Sequence, residues 1–221
     1  MQKRPVTLII GYLGALAGCS LVIWFNRHVL MSLPLTGRML SMIVSYWLIA
    51  AVPLILMRHV RPEMLGFSGE RPGLQCAIGI GGGMLVATLY ILVPCCLGLG
   101  ALVDNGCRYT RFWQFAFELV YCIVAVGAVE EIVFRGFLYL QIRDIFRSER
   151  MAILGSSVLF GFFHIFHGNA VQVLMTTLLG ILFCLLRQKV KHCTLLSLIL
   201  LHGVYDFMIS LCSSLLFRPG Q

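Results

Sequence analysis

Glu130-Glu131-Ile132-Val133-Phe134-Arg135 sets two carboxylates and a guanidinium inside an otherwise apolar run. On a helix, Glu130 and Glu131 point about 100° apart. Glu131 and Arg135, four residues apart with the acid N-terminal, share one face and can pair. Glu130 has no such cation nearby in the chain. Further along lie His164 and then His202 and Asp206, the last two one turn apart. A carboxylate beside an imidazole can hold a water and take its proton. A second imidazole, or a carboxyl group held protonated, can donate to a developing oxyanion. Glu130, His164, His202 and Asp206 are therefore the candidate catalytic residues, with Glu131 and Arg135 in support.

What must position them is a membrane-embedded scaffold. The 221 residues are 59% hydrophobic and only 12% charged, with a mean hydropathy of +0.92, far from a soluble domain of this size. Apolar segments recur from end to end, which predicts one integral-membrane domain over 1–221 with no soluble domain, repeat or low-complexity linker. The net charge of +8 is spread through short loops between apolar spans. It reads as positive-inside topology and not as a nucleic-acid surface. Nine cysteines at 19, 76, 95, 96, 107, 122, 184, 193 and 212 form no CxxC pair and no metal-finger spacing, and read as small core residues.

Spans are expected at 6–25, 39–57 and 74–97, then one within a helical run from 112 to about 146, then at 151–166, 171–186 and 195–217. The fold class is thus all-α, a polytopic transmembrane bundle of about seven spans, with six to eight possible. Leu16-Ala17-Gly18-Cys19 resembles a lipoprotein cleavage box, but the apolar run continues through Trp24 and Phe25, so span one is expected to stay. Gly14 with Gly18, and the Gly79-Ile80-Gly81-Gly82-Gly83 run, are expected at close helix contacts. The 35-residue run from 112 exceeds the hydrocarbon thickness, so 136–150, with its arginines and acids, is expected to emerge into an interface. Glu118 falls about three turns outward of the acidic motif, where a wet outer half of the helix is expected. With the N-terminus inside, eleven Lys and Arg fall in inner segments and five in outer ones, Arg135 aside. That predicts a cytoplasmic N-terminus.

Depth converges on one cavity. Glu130 lies 17 residues before Arg147 and His164 lies 17 after it, so an antiparallel hairpin turning near Arg147 brings the two level, roughly 20 Å from the inner surface. His202, about ten residues past the inner loop, is roughly 15 Å deep. Taken singly, a buried His or a His-Asp pair is ordinary packing, and His167 before Gly168-Asn169 reads as a turn residue. Three ionisable groups at one depth in a membrane read as a functional site.

At these residues the chain resembles the CAAX protease and bacteriocin-processing family of intramembrane endopeptidases, which includes the type II prenyl-protein proteases. Its Glu-Glu-x-x-x-Arg motif is matched by Glu130, Glu131 and Arg135, its Phe-x-x-x-His by Phe160 and His164, and its His-x-x-x-Asn or His-x-x-x-Asp by His202 and Asp206. Order and spacing agree over about residues 112–210. The resemblance implies a glutamate-dependent hydrolase without a cofactor. Glu130 and His164 would activate water, His202 with Asp206 would stabilise the oxyanion, and Glu131, Arg135 and Phe160 would order the site. Where the prenyl-protein enzymes carry Asn, Asp206 donates a hydrogen bond only when protonated, which leaves orientation of His202 as its other role. Implied partners are the bilayer and a membrane-anchored protein or peptide: a prenylated CAAX tail, a C-terminal anchor or sorting tail, or a bacteriocin or pheromone leader. The short chain fits a prokaryotic plasma membrane.

Other chemistries use the same residues. Glu130, His164 and His202 would serve as zinc ligands with an open position for water, although the chain has no HExxH. Gly155-Ser156-Ser157 lacks the Gly-x-Ser-Gly of rhomboid-type serine sites. A proton-coupled transporter also needs midplane charges, with inverted repeats and broken helices that the sequence does not display. A non-enzymatic membrane chaperone or immunity protein would have no need of the three ionisable groups.

Overall fold

The computed structural model describes residues 3–166 and 170–216, and among them the chain is helical with no strand. Helices α1 (Lys3–His28), α2 (Leu35–Tyr46), α3 (Leu48–Leu56) and the short α4 (Pro62–Leu65) lead into α5 (Pro72–Cys96). A continuous helical rod then runs from 112 to 146. It comprises α6 (Phe112–Tyr121), a π segment (Cys122–Gly127), α7 (Ala128–Glu131), a second π segment (Ile132–Leu138) and α8 (Tyr139–Phe146). Helices α9 (Glu149–Phe163), α10 (Ala170–Lys189) and α11 (Leu195–Leu216) complete the bundle.

Among the described residues, five segments are long and apolar enough to cross a membrane: Pro5–His28, Leu35–Leu56, Pro72–Cys96, Ala170–Lys189 and Leu195–Leu216. The two other expected spans are helical but differ in form. The rod is divided by its π segments, and α9, at 15 residues, is about 22 Å long at 1.5 Å per residue. The second span is broken at Trp47, where i→i+3 bonds from Trp47 N to Val44 O and from Ala50 N to Trp47 O replace the α ladder. The apolar run of 39–57 does not by itself display this break.

Burial is inverted relative to a soluble protein. Leu13, Leu40, Val44 and Leu85 lie exposed on the outer faces, while Glu130, Glu131, Arg135 and His202 are inside. Helix α11 is the central element, with 56% of its most apolar window buried against 28% or less for the other four. It packs along α5, as α1 packs along α3 and α9 along α10. Small residues allow these approaches. A Cβ at Gly79 or Gly83 would lie 2.7 Å from Ser197 O or 2.6 Å from Leu201 O, and one at Gly18 would lie 2.7 Å from Ile49 Cα.

Between α9 and the rod, Arg147 takes a left-handed conformation (φ 52°) as the cap of α8, and Ser148 Oγ accepts from Met151 N to start α9. This is the reversal the hairpin requires. At the other end, residues 97–111 are tied to α11 by side chains. Arg108 donates to both oxygens of Asp104 at 2.8 and 2.6 Å, Ser213 donates to Asp104 at 2.6 Å, and Asn105 donates to Ser210 at 3.0 Å. The Arg108 guanidinium, with the Ser213 hydroxyl and the Gly106 N–H, holds the Asp104 carboxyl well below the usual carboxylate range.

The cysteines divide. Cys19, Cys122, Cys184 and Cys193 are buried, as small core residues should be, whereas Cys95 and Cys96 lie exposed at the end of α5, and all nine are free thiols. The expected turn at His167-Gly168-Asn169 lies outside the described residues.

Candidate active site

Glu130 and Glu131 sit on α7, between the two π segments, and are 2% and 0% exposed. Glu131 Oε1 accepts from Arg135 at 2.9 Å, the pair expected from their spacing. The guanidinium lies over Phe160 at 4.2 Å from the ring centroid and faces Phe183 at 5.2 Å. Phe160, Phe134 and Phe163 stack edge to face around it. This aromatic wall keeps the ion pair dry and fixes its plane.

The same Glu131 oxygen takes a second bond. His202 Nδ1 lies 2.8 Å from it. A carboxylate held by a guanidinium is an acceptor only, so Nδ1 carries the proton and Nε2 faces the cavity. Glu131 thus orients His202, a link absent from the sequence reading. Asp206 sits on the opposite edge of the ring, with Oδ2 3.4 Å from Nε2, so the ring is held through Nδ1 by Glu131 and not by Asp206.

Glu130 is held differently. Its Oε1 accepts from Tyr46, the last residue of α2, at 2.5 Å. Its Oε2 is buried with no hydrogen-bond partner, and lies 3.8 Å from His164 Nε2 and 3.8 Å from His202 Nε2. The hairpin therefore does bring Glu130 level with His164. His164 opens a short 3₁₀ turn at the end of α9, and its Nδ1 lies 2.9 Å from Phe160 O. Since a carbonyl only accepts, His164 also presents Nε2 to Glu130. A separation of 3.8 Å is too long for a hydrogen bond and suits one bridging water at about 2.8 Å from each atom. The side chains of His164 and Asp206, 20% and 29% exposed, form the open side of the cluster.

Close backbone contact between α11 and the first π segment makes this assembly possible. A Cβ on Gly203 would lie 2.7 Å from Ile123 Cα and 2.8 Å from Cys122 O, and one on Gly127 would lie 2.6 Å from Ile199 O. Gly203→Ala is accordingly expected to force the helices apart, lowering stability by about 1–3 kcal/mol and pulling His202 away from Glu131. Thermal unfolding in detergent checks the first effect, and peptide cleavage the second.

Two sequence readings change here. Tyr46 joins the candidate site through its bond to Glu130; its signal in the sequence is a hydroxyl in the middle of an apolar span. Glu118, expected in a wet outer half, is 8% exposed and accepts from Ser210 at 2.8 Å and Tyr109 at 3.0 Å. The polar ends of α11 and of residues 97–111 close over it.

As ligands for zinc, Glu130 Oε2 and the two Nε2 atoms have the right chemistry, and both imidazoles are anchored through Nδ1 as metal-bound histidines are. Their spacing is wide. Tetrahedral zinc with bonds of about 2.1 Å needs donors about 3.4 Å apart, against 3.8 Å here. Among the described residues no group of three or more His, Cys, Asp or Glu is gathered as a metal site.

Fold and site define a helical membrane protein with an interior cluster of carboxylates and imidazoles that is open on the side of His164 and Asp206. Residues 112–208, the segment that carries all three motifs, match the model of the type II CAAX prenyl endopeptidase Rce1-like family. Among curated proteins and among solved structures, nothing matches the chain.

Proposed function

We propose that this chain is an intramembrane endopeptidase that hydrolyses a peptide bond of a membrane-associated protein or peptide with a water activated by Glu130. The observation that carries this reading is the unpartnered, buried Glu130 Oε2 facing two imidazole nitrogens. Water there donates one proton to Glu130 and the other to His164 Nε2, which turns its lone pair away from both and toward a carbonyl carbon. Attack transfers the first proton to Glu130, and Glu130 returns it to the departing amide nitrogen as the C–N bond breaks.

For His202 the bond to Glu131 sets the condition. With Nδ1–H committed to Glu131, Nε2 donates to an oxyanion only when His202 is the imidazolium, and Asp206 at 3.4 Å balances that charge. This gives Asp206 a role as a carboxylate, where the prenyl-protein enzymes carry Asn. Glu131 and Arg135 are positioning residues, and Tyr46 fixes the Glu130 carboxylate in plane. The excess of basic residues in the expected inner loops supports a cytoplasmic N-terminus.

Purified protein in lipid nanodiscs, incubated with fluorogenic membrane-anchored peptides, tests the reading. Cleavage that persists after prolonged chelation, with no metal in the preparation by elemental analysis, is the expected result. Loss of cleavage on chelation and its return with zinc would replace the glutamate mechanism by the zinc one. No cleavage of any anchored peptide by folded protein would favour a non-enzymatic or transport role.

A further inference from the structure

A second cavity, of about 380 Å³, opens where the basic ends of α8 and α10 meet the start of α9, lined by Arg135, Tyr139, Arg143, Glu149, Arg187 and Gln188 together with Cys184. The lining holds three arginines and one carboxylate, and Arg143 lies 3.8 Å from Glu149. Glu131 neutralises Arg135 from the far side, and the lining still keeps net positive charge. Glu149 is already engaged, accepting from Tyr139 and, at 3.2 Å, from Gln188. Arg187 is spread between two carbonyls, Arg135 O at 2.8 Å and Leu65 O at 3.0 Å, which pins it at the cavity wall. Arg135 is 1% exposed, and its Nε and Nη2 have no hydrogen-bond partner. Unpaired guanidinium N–H groups beside a cationic cavity call for an anion.

The surroundings say which kind. Met151, Leu154 and Val158 on α9 and Leu178, Leu182 and Leu185 on α10 are exposed. Their i, i+3, i+7 and i, i+4, i+7 spacings make two apolar rows, starting at the cavity and running toward the bilayer centre. Charge at the interface with apolar tracks leading inward matches one ligand geometry, a phosphate bearing acyl chains. We propose that this cavity binds the headgroup phosphate of an anionic phospholipid, with its chains along α9 and α10.

The test is thermal unfolding of the delipidated full chain in neutral detergent with added phosphatidylglycerol, phosphatidylcholine or inorganic phosphate, alongside native mass spectrometry for retained lipid. Phosphatidylglycerol is expected to raise the melting temperature and to persist as a bound adduct, with little effect from phosphatidylcholine or from inorganic phosphate. Arg143, which is half exposed and 3.8 Å from Glu149, supplies the first variant. Arg143→Gln should weaken phosphatidylglycerol binding about tenfold. Glu149→Gln, which removes the only acid of the lining, should tighten it. Equal stabilisation by phosphatidylcholine, a response to inorganic phosphate as large as that to the lipid, or identical binding by wild type and both variants would overturn the proposal. Should Arg143→Gln fail to fold, Glu149→Gln decides alone: tighter binding supports the site, and unchanged or weaker binding overturns it.

Discussion

Arg135→Met is expected to cost about 3–5 kcal/mol of stability, because it leaves Glu131 as a buried carboxylate without its guanidinium. The residues are 1% and 0% exposed, so no solvent screens the loss. Against the roughly 5–15 kcal/mol that holds a typical fold, that would bring the site region close to unfolding. Removing both charges together should cost much less. In the double variant Glu131→Gln, Arg135→Met, the orphaned charge is gone and methionine fills the aromatic slot between Phe160 and Phe183. A double-mutant cycle by chemical unfolding in detergent, with a coupling energy above about 2 kcal/mol, is the expected outcome. Strictly additive effects would show that the pair does not act as a unit. Arg135→Lys should fall between, since it keeps the charge but loses the planar stack on Phe160.

How much of this was legible in the sequence follows from which contacts run along the chain and which run across it. The Glu131–Arg135 pair is a four-residue spacing and is visible in any helical reading. The level of Glu130 with His164 is visible too, because the two residues flank a single tight reversal at Arg147 with equal counts. The family resemblance rested on the same residues, and the Rce1-like match spans them. Tyr46 reaches Glu130 from α2 at a sequence separation of 84, and His202 reaches Glu131 at a separation of 71. No periodicity encodes such crossings. They depend on Gly127 and Gly203 letting backbones touch, and on the π segments, whose extra residue per turn shifts the phase of every side chain beyond them. A 3.6-residue reading misses that shift. Glu118 was misplaced for a related reason: its depth along the rod was read without the tie of residues 97–111 to α11, which folds hydroxyls over it.

The central claim is that Glu130 takes a proton from water. Glu130→Gln keeps the size of the side chain and an oxygen to accept from Tyr46, but an amide cannot act as the base. The loss expected for removing a positioned general base is about 10²–10⁴-fold, and because in the proposed mechanism Glu130 also returns the proton to the leaving nitrogen, the upper end of that range is predicted. The carboxylate is not part of the Glu131–Arg135 pair, so the variant should fold. The decisive measurement is the cleavage rate of a membrane-anchored peptide by Glu130→Gln in nanodiscs, with its melting temperature recorded on the same sample. The account predicts a melting temperature close to wild type and cleavage reduced to background. Cleavage at the wild-type rate by the folded variant would contradict it.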